Sequence, residues 1–268
     1  MPADPLSLVA LGAAIGGGAG KFVEKAWDSG EKWISSYFQN HQVRARESAE
    51  KNSSEFLKKL GGKLQALEQS GEISSIQIET ALEHPEFSVM LQHAILAAAQ
   101  TESTEKHELL SSLVAAHLKS NPESLLALTS KIACEVVGKI TQNQLNLLGL
   151  VITLRHLTPG TTLSPDHFAS WLTRVLSPYL EVSCSTLDVL HLQALGCIQQ
   201  SPFAYNLWSV FTSRNPLDAS FKQTDIFQHI VKLWPKVQTL QLSSVGQLLG
   251  QHVVSSQTGL PVNDDWED

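Results

Sequence analysis

Apolar side chains recur at intervals of three and four along most of the chain, the period of helices buried on one face. Residues 43–69 are rich in Glu, Lys and Leu and end at Ser70-Gly71, where glycine suits a helix cap. A short helix is predicted at about 73–83, and His84-Pro85 interrupts the pattern before a helix over about 86–100. Thr104 opens the next helix, and Asn121-Pro122 opens the one after it. Residues 141–156 are apolar enough for a buried helix, and Thr158-Pro159-Gly160 breaks the chain. Ser164-Pro165-Asp166 starts a helix ending near Tyr179, and further helices fit about 184–200, 203–213 and 222–233. Val237 to Leu242 alternates like a short strand, before Ser243-Ser244 caps a helix running to about Ser255.

The pattern therefore predicts an all-α protein, a multi-helix bundle or array with a small strand-turn-helix element near the C-terminus. Four segments follow from it. Residues 1–40 hold a Gly-rich apolar stretch and an amphipathic helix, 41–156 a helical domain, and 157–256 a second helical domain with a winged-helix-like corner. Residues 257–268 form an acidic tail expected to be disordered.

The first segment departs from the rest. Pro5 to Gly20 is sixteen residues without a charge, and as a helix it would be about 24 Å long, short of a ~30 Å hydrocarbon core. Gly12, Gly16 and Gly20 stand four apart and share one helix face, where absent side chains let two helices approach closely in lipid. Leu8, Leu11 and Ile15 supply apolar side chains to the same stretch. Two readings stay open: a membrane-inserting segment that assembles through its glycines, and a flexible Gly-rich tail. A phosphate loop is excluded, because Ile15 stands where its first Gly belongs and Phe22 follows Lys21 where a hydroxyl is needed.

After Lys21, an aromatic-rich stripe includes Phe22, Trp27, Ile34, Tyr37 and Phe38, with Trp33 beside it. Phe22, Trp27, Trp33 and Tyr37 are candidates for a membrane interface, where such side chains settle. The alternative is packing on the protein's own helices.

Charge sharpens this contrast. The 268 residues carry a net charge of −7, yet residues 21–63 hold nine of the nineteen Lys and Arg against six acids. Anionic lipid attracts such a flank. Residues 157–268 hold five basic side chains against nine acids, so a nucleic-acid partner is not expected. Three cysteines are too few for a disulfide framework.

No catalytic or metal constellation emerges, and no cofactor is expected. His107-Glu108-Leu109-Leu110-Ser111 has serine where a zincin needs its second histidine. His107 and His117 lie ten apart, as no helical ligand pair does, and read as packing histidines. Gly-x-Ser-x-Gly is absent. An enzyme is therefore not expected.

The order of features resembles bacterial abortive-infection proteins of the Abi-alpha type. The likeness rests on the Gly-rich apolar start, the charged helix at 43–69, the helical middle, and the segment Leu242-Ser243-Ser244-Val245-Gly246-Gln247-Leu248-Leu249-Gly250. The resemblance implies phage defence through membrane damage and supplies no catalytic residues. Joined to the residue reading, it gives the following expectation. A cytoplasmic body senses infection, with a multimeric phage structural protein as one candidate trigger. It then self-associates and relocates to the inner membrane, where residues 5–20 meet the lipid and open a pore or leak. The competing expectation is a soluble helical interaction protein without membrane activity.

Overall fold

The computed structural model describes residues 32–260 of the protein and shows an all-α fold with one short two-stranded ribbon. The chain divides into two units between Lys139 and Ile140. The helix at 142–155 thus falls with the second unit, whereas the sequence pattern groups it with the first.

In the first unit, α1 (Val43–Ser70), α2 (Ser75–Glu83), α3 (Pro85–Ala99), α4 (Thr104–Lys119) and α5 (Leu125–Val137) follow one another. Helices α1 and α5 each pack against both α3 and α4. Ala49, Phe56, Leu57, Leu60 and Leu64 form the buried stripe of α1, and Phe87, Met90, Leu91 and Ile95 meet them from α3. Gly71, with φ at +77°, ends α1 as its sequence predicts. Helix α5 begins three residues later than its Asn121-Pro122 signal. Asn121 instead accepts the Glu123 N–H in a local turn, and Ser124 caps the helix by accepting from Ala127 N.

Polar groups tie the helices of this unit together at several points. Lys59 and Lys63 of α1 both reach Glu108 of α4, with N···O distances of 3.2 and 2.5 Å. His107 is fully buried, and its Nε2 lies 3.1 Å from the Ala98 carbonyl and 3.0 Å from that of Thr101. Ala98 stands in the last turn of α3 and Thr101 just past its end, where a helix leaves backbone acceptors to be satisfied. His107 is a packing residue that closes a helix end, as the sequence reading has it.

In the second unit the order is α6 (Gln142–Arg155), α7 (Pro165–Leu176), α8 (Thr186–Ala194), β1 (Ile198–Gln200), α9 (Leu207–Thr212), α10 (Asp225–Leu233), β2 (Leu240–Leu242) and α11 (Ser244–Thr258). Single 3₁₀ turns stand at Ser177–Tyr179, Ala219–Gln223 and Trp234–Lys236. Helix α6 is buried along its length, from Leu145 to Leu154, and α11 packs on it more extensively than any other pair of described elements does. Phe168, Phe211, Phe221 and Phe227 form a second, aromatic cluster with ring centroids 5.4–6.2 Å apart.

The predicted strand is present as β2, and its antiparallel partner corrects the sequence reading. Residues 195–200, expected to continue a helix, instead turn at Gly196 (φ +70°) and form β1, with Gln199 opposite Gln241. Tertiary pairing overrides a local pattern that fits either state. Helix α9 is likewise shorter than 203–213, and 219–223 forms a separate 3₁₀ turn ahead of α10. Helix α11 runs past Gln257, so the acidic tail starts later than expected; residues 261–268 lie outside the described residues.

Arg214 fastens the end of α6. Its guanidinium donates to the carbonyls of Thr153 (3.3 Å), Leu154 (2.6 Å) and Leu157 (2.8 Å), and its Nε donates to Val210 O (3.1 Å). A cation at a helix C-terminus satisfies orphan acceptors and complements the dipole. Desolvation lowers its pKa to about 10, which still leaves it charged at neutral pH.

Candidate functional site

Leu8, Leu11, Gly12, Ile15, Gly16, Gly20, Phe22 and Trp27 lie outside the described residues. Trp33 and Tyr37 lie inside them, on a helical stretch over 32–37. Ile34 is fully buried there, Trp33 half-buried and Tyr37 40% exposed, so the stretch faces both inward and outward. Tilted and edge-on ring contacts continue from Trp33 to Tyr37 (5.6 Å), Phe38 (5.1 Å) and His41 (5.0 Å). Part of the aromatic stripe therefore packs, and part remains available to a surface.

The C-terminal segment behind the family resemblance is architectural. Ser243 accepts the Gly246 N–H to cap α11, and its own hydroxyl is directed to the Gly196 and Cys197 carbonyls. Its backbone N–H donates to Cys197 O at 3.0 Å. A β-carbon at 246 would collide with that same carbonyl, and one at 250 would meet Ile152 and the Leu148 carbonyl of α6. The spacing Ser-x-x-Gly-x-x-x-Gly thus joins ribbon to helix and helix to helix.

Among the described residues, no group of three or more His, Cys, Asp or Glu could hold a metal. Burial pushes the Cys197 thiol up to about 12, and those of Cys134 and Cys184 are raised by burial and by neighbouring acids. None of the three is an activated thiolate.

A well-formed concavity belongs to the first unit. It is a cleft of about 400 Å³ between α2, the α2–α3 junction and the end of α4. Ile76, Ala81, Phe87, Leu118 and Pro122 give it apolar walls, and His84, Glu86, His117 and Lys119 bring polar groups. Lys119 is held by Glu72 at 2.7 Å. His117 is only 6% exposed, its ring stacked on Phe87 with centroids 5.8 Å apart. The sequence singles out His117 only as a failed metal ligand, because its neighbours come from separate helices.

Two further surfaces are apolar. Leu125, Leu128 and Ile132 share one stripe of α5 and are 45–58% exposed. On α8, Leu187 and Leu190 are more than half exposed, one turn apart. Both stripes are exposed in the structure.

No helix among the described residues is long and apolar enough to cross a membrane. No curated protein and no solved structure matches the chain. One protein-family model does match it, over residues 20–226. That span is more than half of the chain, so the chain belongs to this family, one of unknown function, and the match does not bear on the Abi-alpha resemblance.

Proposed function

We propose that the chain is a non-catalytic effector that acts on a membrane, with its two helical units as the body and residues 5–20 as the acting segment. The observation that carries the proposal is the aromatic ladder of Trp33, Tyr37, Phe38 and His41. Its Ile34 is buried while Tyr37 stays outward, shortly after the uncharged stretch and within its basic flank. Tyrosine and tryptophan in that position suit a lipid interface. In this reading the chain serves phage defence: infection drives self-association, and clustered copies of residues 5–20 pack through Gly12, Gly16 and Gly20 in the inner membrane.

The test is expression of the parent and of Gly16→Leu, with dye leakage and survival measured with and without phage. Leucine strengthens helix propensity and hydrophobicity but holds paired backbones apart. Retained membrane association with lost leakage and lost protection is the expected result. Equal leakage and protection by both proteins would remove the glycine mechanism.

A second reading, a helical interaction protein without membrane activity, is favoured by the exposed stripe Leu125–Leu128–Ile132. It expects intact membranes in every arm, with association lost in Leu128→Arg.

A further inference from the structure

Leu125, Leu128 and Ile132 stand along one side of α5, and the packing of the first unit leaves them open. The charges beside them are engaged with α3: Lys131 lies 4.0 Å from Glu86, and Glu135 lies 3.2 Å from His93 Nδ1. Covering the stripe therefore removes apolar surface from water without stranding either charge. Its size decides what can cover it. Stable associations between separate proteins bury about 800 Å² on each side, drawn from about 20–30 residues. Three side chains fall far short of that, so the stripe suits neither a second copy nor a free protein. A segment of the same chain needs much less, because its tether holds it at an effective concentration of about millimolar.

The chain supplies such a segment within reach. Residues 5–20 hold no charge and bring Leu6, Leu8, Val9, Leu11 and Ile15. Helices α1 and α5 each pack on both α3 and α4. Packed helices lie about 8–10 Å apart, so the axes of α1 and α5 are no more than about 20 Å from one another. Asn52 of α1 donates to Ala99 O at 3.2 Å, and Gly138, just past α5, abuts Ala97. The early part of α1 and the end of α5 thus meet the same end of α3. The described residues begin at 32, ahead of α1. Residues 21–31 can span about 36 Å when extended, which exceeds that separation. We propose that residues 5–20 dock on the Leu125–Leu128–Ile132 stripe in the resting protein, so that the first unit withholds its own membrane-acting segment. The consequence for membranes rests on the reading above; the docking does not.

The test uses the full chain with Leu125→benzoylphenylalanine, a photo-reactive replacement that keeps the position apolar. Illumination should give a cross-link within one chain to residues 5–20, located by mass spectrometry. Leu128→Arg added to that chain should lower the yield about tenfold. Ile76→Arg, on α2 and 72% exposed, adds the same charge away from the stripe and should leave the yield unchanged. Both arginines replace exposed side chains, so circular dichroism should match the parent. In a second arm, the unlabelled parent and the two arginine variants are floated with vesicles of phosphatidylglycerol and phosphatidylethanolamine, without phage. Leu128→Arg should bind about tenfold more tightly than the other two, because no docked population competes with lipid. No cross-link to residues 5–20, a cross-link only between two chains, or an undiminished yield in Leu128→Arg would each overturn the docking. Equal vesicle binding by parent and Leu128→Arg would overturn the withholding and leave the membrane reading in place. The expected cross-link with no vesicle binding by any of the three would keep the docking and remove the membrane reading.

Discussion

The backbone carbonyl of Cys197 occupies the place that a β-carbon on residue 246 would need, so Gly246 is required by a close approach of backbone to backbone. The carbonyl also accepts the Ser243 N–H, so it cannot retreat without loosening the cap of α11. Gly246→Ala is therefore expected to destabilise the second unit by about 2–4 kcal/mol, the range for an overpacked and strained site. Urea unfolding of parent and variant measures it.

Gly62 gives the opposite sign. It lies inside α1, is exposed, and nothing stands within 4 Å of where its β-carbon would be. Gly62→Ala should stabilise the first unit by about 0.5–1 kcal/mol, through helix propensity and a less flexible unfolded chain. A thermal melt showing a lower midpoint would contradict this.

Arg214→Lys removes the planar fork that serves three carbonyls at the end of α6 and a fourth on α9. One ammonium cannot reproduce that geometry. Arg214 is half-buried, so a loss of about 2 kcal/mol is expected rather than the full cost of stranding a buried network. Chemical denaturation of Arg214→Lys, with its near-ultraviolet dichroism compared at low denaturant, checks both magnitude and place.

Acid should weaken the first unit in two stages. His117 has its pKa lowered by burial from the ordinary value of 6.5, so the unfolded chain binds its proton first as pH falls. Stability is thus complete above about pH 6.5 and declines below it, down through the lowered folded-state value. For Glu108, burial opposes ionisation, but bonds to Lys63 and Lys59 outweigh it and hold the pKa below 4.5. Its contribution is present above the unfolded carboxylate range and is lost below it. Urea midpoints of the parent and of His117→Gln, taken at pH 7.5 and 5.5, test the first stage: the variant should show the smaller pH dependence.

What could be seen in sequence was whatever is settled within one turn of helix. Gly71 ends α1, and Thr141, Ser164 and Ser243 each accept a backbone N–H from three residues ahead. These signals work locally, so the chain order alone reveals them. The helix start at α5 was misplaced because Asn121-Pro122 and Ser124 are both competent signals three residues apart. Strand β1 was missed for a different reason. Ile198–Gln200 becomes a strand only when Leu240–Leu242 arrives beside it, and its own pattern says nothing of that. The cleft was hidden likewise: His117, Phe87 and Ala127 meet across three helices.

The close pairing of α11 with α6 also bears on how the chain is made. The first and last helices of the second unit form its principal contact, so that unit has no complete core until Thr258 has left the ribosome. Helices α1, α3, α4 and α5 are complete by Val137, and their principal contacts are with one another. Synthesis from the N-terminus therefore gives the first unit time to fold while apolar α6 waits, unsheltered, for the last helix to cover it.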